Sequence, residues 1–141
     1  MWNKPHISPM AVLLGVVLLL STACGGDGIP TCERCYFVEP TEHTVTLLFS
    51  LSDENPTVDF TVYEGDLDGG VPIHYGVAEQ SRVELVLALG RRYTVVADYC
   101  GGGRSVKVLG ANKPRASFVQ EACDEPCYMV SGLRFDLRLR Y

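Results

Sequence analysis

The chain has 141 residues, six cysteines, a formal charge of −5 at pH 7, and 47% hydrophobic against 21% charged residues. That length holds one core at most. The acidic balance excludes a nucleic-acid binder that tracks phosphates with a basic stripe, and the hydrophobic content excludes a disordered chain.

Met1–Pro9 carries Lys4 and no acid, and the first acid of the chain is Asp27. Met10–Leu20 is an unbroken apolar run. A helix needs about 20 residues to cross a bilayer, so this shorter run predicts the core of a signal peptide over residues 1–23. Ser21, Thr22 and Ala23 are small, Cys24 follows at once, and Gly25-Gly26-Asp27-Gly28 comes next. This end of the chain resembles bacterial lipoprotein precursors, whose lipobox finishes in small residues and a cysteine. The resemblance places Thr22, Ala23 and Cys24 at the last three lipobox positions, with Ser21 where that family prefers Leu. It implies diacylglyceration of the Cys24 thiol, cleavage before it, and attachment to the membrane through the N-terminal lipid. Residues 24–31 then form a lipidated tether, and Gly25 after the cysteine favours the outer membrane under the enteric sorting rule. Ser-Thr-Ala also suits ordinary signal peptidase I, which would release a soluble secreted protein with Cys24 free to join a disulfide.

From residue 36 onward, short runs alternate apolar and polar residues. Thr44–Leu51 puts Val45, Leu47, Phe49 and Leu51 on one face, and Val58–Glu64 does the same with Val58, Phe60 and Val62. Arg82–Leu89, Tyr93–Tyr99, Ser105–Leu109 and Arg115–Gln120 continue the device, and Val71–Tyr75 is a weaker member. In Leu133–Tyr141 the alternation is cleanest, with Arg134, Asp136, Arg138 and Arg140 on the face opposite the apolar residues. Period two predicts half-buried strands, and this last one predicts an edge strand guarded by charge. Turn text rich in Gly, Pro, Asn and Asp separates the runs about every ten residues, which predicts a sandwich or barrel. Residues 77–89 also contain helix formers ending at Gly90, a possible helix C-cap; strict alternation at Val83, Leu85, Leu87 and Leu89 favours a strand. An outer-membrane barrel needs strands of about 9–11 residues, longer than most of these. The expected fold is all-β: a single antiparallel β-sandwich over residues 32–141, braced by disulfides. Leu85–Tyr99 resembles the strand–turn–strand of transthyretin-like, Cna-B-like and fibronectin-type sandwiches, which implies a tyrosine packed at a sandwich corner.

With Cys24 lipidated, five cysteines remain as disulfide candidates: Cys32, Cys35, Cys100, Cys123 and Cys127. One of the five must then be left over, whereas all six can pair if Cys24 is not lipidated. Cys32-Glu-Arg-Cys35 and Cys123-Asp-Glu-Pro-Cys127 each precede an aromatic, an apolar residue and a valine, so adjacent terminal strands would bring the two pairs within reach. Six cysteines in so short a chain fit an oxidising compartment, and structural disulfides are the expectation. The rival readings are a four-thiolate zinc site from Cys32, Cys35, Cys123 and Cys127, or thiol–disulfide exchange at Cys32 and Cys35. Exchange wants a helix N-terminus, and β-type residues follow this pair.

Catalytic motifs are lacking: beyond the leader the histidines are His43 and His74, and neither Gly-x-Ser-x-Gly, His-Glu-x-x-His nor a phosphate loop occurs. No enzyme activity, metal or cofactor is expected. Glu64-Gly-Asp66-Leu-Asp68-Gly69 mimics the start of a calcium loop, yet Tyr75 stands where its closing acid belongs; a hairpin connection accounts for the same residues. Tyr36, Tyr63, Tyr75, Tyr93, Tyr99 and Tyr128 with Phe37 could form a contact surface or pack the core. The Gly-rich stretches Asp66–Gly70 and Gly101–Arg104 are the candidate binding loops. The sequence therefore predicts a lipid-anchored, non-catalytic envelope module with an envelope protein or glycan as partner, and no nucleic acid.

Overall fold

The computed structural model describes residues 34–120 and 125–140. Nine strands follow in order: β1 (Glu42–Leu48), β2 (Val58–Glu64), β3 (Val71–Ala78), β4 (Arg82–Ala88), β5 (Tyr93–Gly101), β6 (Arg104–Asn112), β7 (Arg115–Val119), β8 (Cys127–Ser131) and β9 (Arg134–Asp136). They form a three-stranded sheet in the order β4-β1-β9, a four-stranded sheet in the order β3-β2-β5-β6, and the hairpin β7-β8. The fold is a β-sandwich braced by a disulfide between Cys35 and Cys127. No helix among the described residues is long and apolar enough to cross a membrane.

Alternation sets which faces meet. Val45, Leu47 and Phe49 from β1 and its extension, and Phe135 and Leu137 from β9 and the residues after it, enter the core from one sheet. Val58, Phe60 and Val62 of β2 and Val95, Ala97 and Tyr99 of β5 enter from the other. Each fully buried Val, Leu or Phe is worth about 1.5–3 kcal/mol relative to exposure, so fourteen buried core residues hold the two sheets together. β5 lies between β2 and β6 and is buried on both faces over most of its length.

Residues 77–89 hold the end of one strand, a bend and a second strand, not a helix: β3 ends at Ala78 and β4 runs Arg82–Ala88. Val83, Leu85 and Leu87 pack inward while Arg82, Glu84 and Val86 are exposed. Burying that apolar row outweighs helix propensity worth only a few tenths of a kcal/mol per residue. Gly90, with φ of 81°, turns the chain toward β5. There the Tyr93 hydroxyl donates to the Ala88 carbonyl at 3.0 Å, a tyrosine closing a sandwich corner.

The sheets are antiparallel as expected, with one parallel pair, β1 with β9. Gly132, with φ of 72°, carries the chain from β8 back along β1, where Thr46 N–H donates to Leu133 O (2.8 Å) and Leu137 N–H to Leu48 O (2.9 Å). The long terminal strand expected over Leu133–Tyr141 is regular only over Arg134–Asp136. It does lie at a sheet edge, and its inward alternation continues through Leu137 and Leu139. In the four-stranded sheet the edge strand β3 has exposed Val71, Ile73, Tyr75 and Val77; Pro72 and a register shift at Val62/Tyr63 blunt it against pairing with another chain.

Candidate cavity beside the Cys35–Cys127 disulfide

Of the cysteines singled out from the sequence, Cys35 and Cys127 are joined, with Cα atoms 5.5 Å apart and 92 residues between them in sequence. The next residues, Tyr36 and Tyr128, form an antiparallel bridge in which each N–H donates to the other's carbonyl, at 3.0 and 2.8 Å. The repeated cysteine–aromatic texts therefore do lie side by side. A four-thiolate zinc site would need Cys35 and Cys127 as thiolates, and here the two are bonded to each other. Cys100 is exposed and carries no disulfide; its Sγ lies 3.9 Å from Ser105 Oγ. Cys24, Cys32 and Cys123 lie outside the described residues, as do the signal peptide 1–23 and the tether 24–31.

The two Gly-rich loops are not brought together. Asp66–Gly70 joins β2 to β3, whereas Gly101–Arg104 turns at the far end of β5, against Glu54 and Asn55. In the calcium-like text, Glu64 is bound by Arg91 through both oxygens at 2.9 Å, and Asp66 pairs with Arg92. Those hydrogen bonds push the Arg91 guanidinium above its ordinary value, with the Glu64 charge adding to the effect. Among the described residues no group of three His, Cys, Asp or Glu is placed to hold a metal ion. Tyr93 and Tyr99 are core residues, while Tyr75 and Phe37 are exposed. Burial pushes the Tyr93 phenol up.

One cavity gathers unused chemistry. It has a volume of about 220 Å³ and is lined by Arg34, Tyr36, His43, Val130 and Leu133. His43 stands on the inward face of β1, one step beyond buried Val45 and opposite Leu87 of β4. Val130 comes from β8 and Leu133 from the bend after it, and the disulfide fixes Arg34 and Tyr36 against β8. The Tyr36 hydroxyl lies 2.9 Å from His43 Nε2, and His43 Nδ1 lies 3.0 Å from the Thr44 carbonyl. A carbonyl can only accept, so Nδ1 carries the proton and Nε2 accepts from Tyr36. The two rings meet edge to face at 5.8 Å.

In the groove between β6 and the residues after β9, lined by Lys107, Arg138 and Arg140, the charges are neutralised from within: Lys107 pairs with Asp98 and both arginines with Asp136. Arg34 makes no ion pair among the described residues, and no carboxylate lines its cavity. His43 and Tyr36 drew notice in the sequence only as a histidine without a nucleophile and as one of several tyrosines. Nothing local marked Arg34, Val130 or Leu133, since the cavity forms only when residues nearly a hundred positions apart are joined.

Compared with family models, curated proteins and solved structures, the chain finds no match.

Proposed function

We propose that the chain is a lipid-anchored lipoprotein of a bacterial cell envelope, with the sandwich acting as a non-catalytic binding or accessory module. The observation that carries this reading is Cys24, placed directly after Ser21-Thr22-Ala23 and an apolar run too short to span a bilayer. Two further facts support it. The Cys35–Cys127 disulfide suits a compartment outside the reducing cytosol. Lipidation of Cys24 leaves five other cysteines, of which at least one must stay out of a disulfide, and an exposed Cys100 without a disulfide is compatible with that.

Two or three acyl chains on one cysteine hold a domain of this size at a membrane, because each buried methylene contributes about 0.8 kcal/mol. Gly25 after the cysteine points to the outer membrane. The tether of residues 24–31 keeps the sandwich within about 25–29 Å of the surface, in reach of an envelope protein or glycan. The test is intact mass after detergent extraction, paired with Cys24→Ser. The expected result is a chain starting at Cys24 with added acyl mass, and a variant that moves to the soluble fraction. A chain starting at Cys24 without acyl mass, or a variant still held at the membrane, overturns the reading.

A further inference from the structure

We propose that the cavity lined by Arg34, Tyr36 and His43 binds the carboxylate of a small acidic ligand of monosaccharide or dipeptide size, and takes up a proton on His43 as it does so. This names a ligand class for the binding module above and rests on that reading for its non-catalytic role, not for its lipid anchor.

Size comes first. About 220 Å³ falls below the roughly 300–1,000 Å³ of sites that enclose drug-sized molecules, so the cavity takes a small ligand or one terminal group of a larger one. Charge comes next. Arg34 is the one charged group lining the cavity among the described residues, and its guanidinium offers paired donors that match a carboxylate in plane. Val130 and Leu133 supply apolar contact beside it.

The Tyr36–His43 pair supplies the switch. With His43 neutral, the Tyr36 proton is committed to Nε2. When His43 takes a proton, Nε2–H donates to the Tyr36 oxygen instead, and the phenolic O–H turns free to donate to a second acceptor. Nδ1–H keeps its bond to the Thr44 carbonyl in both states, so the ring need not move. A carboxylate spanning Arg34 and Tyr36 therefore binds better to the protonated ring, and by linkage its binding draws a proton in. The groups facing this ring are Arg34 and Tyr36 from the segment at Cys35, Leu87 from β4, Val130 from β8 and Leu133 from the bend before β9. Arg34 is the only charge among them.

The experiment is isothermal titration of the purified protein with D-glucuronate and with the dipeptide Ala-Ala, at pH 5.5 and pH 8, in buffers of different ionisation enthalpy. The methyl ester of glucuronate and the amide of Ala-Ala are the uncharged comparators. One of the two acids is expected to bind, which also identifies a sugar acid or a peptide C-terminus as the source of the carboxylate. Its comparator is expected to bind at least tenfold more weakly, as is the acid to Arg34→Gln, the usual scale for one charge-assisted hydrogen bond. His43→Gln and Tyr36→Phe should abolish the proton uptake seen in the buffer series, while melting curves confirm that each variant is folded. Neither acid binding at about 10 mM, equal binding of acid and comparator, or proton uptake that survives His43→Gln overturns the proposal. Such failure leaves the acyl mass of Cys24 untouched, so the two readings fall separately.

Discussion

Replacing Tyr99 by phenylalanine removes one oxygen from the interior and leaves the ring in place. That oxygen joins three parts of the sandwich: the hydroxyl on β5 donates to the Leu137 carbonyl at 2.7 Å and accepts from the Ser50 N–H at 3.0 Å. Tyr99 is 2% exposed and Leu137 is fully buried, so no water replaces the bond to Leu137. A buried polar group left without its partner costs about 1–3 kcal/mol. Ser50 is only half-buried and recovers part of its loss from solvent, which sets the total near about 3 kcal/mol. For a domain of this size that lowers the melting temperature by about 10 °C. Urea unfolding followed by far-UV circular dichroism gives the free energy directly, and the slope should not change because the surface exposed on unfolding is the same. Tyr75→Phe is the control: Tyr75 is 70% exposed, and surface changes of this kind stay within about 0.5 kcal/mol. If Tyr99→Phe also stays within that range, the hydroxyl does not hold the strands after β1 and β9 onto β5, and the account of the core is wrong.

Two further outcomes follow from packing and charge. A Cβ at Gly76 would sit 2.5 Å from Phe60 Cζ, and Phe60 is already packed on Phe49. Gly76→Ala should therefore cost about 1–3 kcal/mol by overpacking, whereas Gly69→Ala, with nothing within 4 Å, should melt close to the parent. Hydrogen bonds from the Arg138 guanidinium, at 2.8 and 2.7 Å, hold the Asp136 carboxyl well below the usual carboxylate range; burial opposes them, and the charges of Arg138 and Arg140 assist. Because the folded value is depressed, the stabilisation is fully present above the unfolded carboxylate value of about 4. It is lost as the pH falls from there through the folded value. Asp136→Asn should melt a few degrees lower at pH 7, with the gap to the parent clearly smaller at pH 2; a gap of constant size at both pH values would refute the assignment.

Alternation alone was enough to place nearly every strand, because burying one face of a sheet rewards period two whatever the partner strand is. Val83, Leu85 and Leu87 show its reach, overriding a segment composed of helix formers. Tyr93 at the corner after Gly90 was legible for a similar reason: the turn and the tyrosine that closes it lie within a few residues of each other. The parallel course of β9 was not legible, since Phe135 and Leu137 bury the same face whichever way the strand runs, and the connection through Gly132 decided the direction. Nor could spacing say that Cys35 joins Cys127, because that bond requires Tyr36 and Tyr128 already to be paired. The cavity of Arg34, Tyr36 and His43 followed from the same closure. Local sequence determines how each segment buries its own face, while a site built from distant segments exists only once the whole chain has closed.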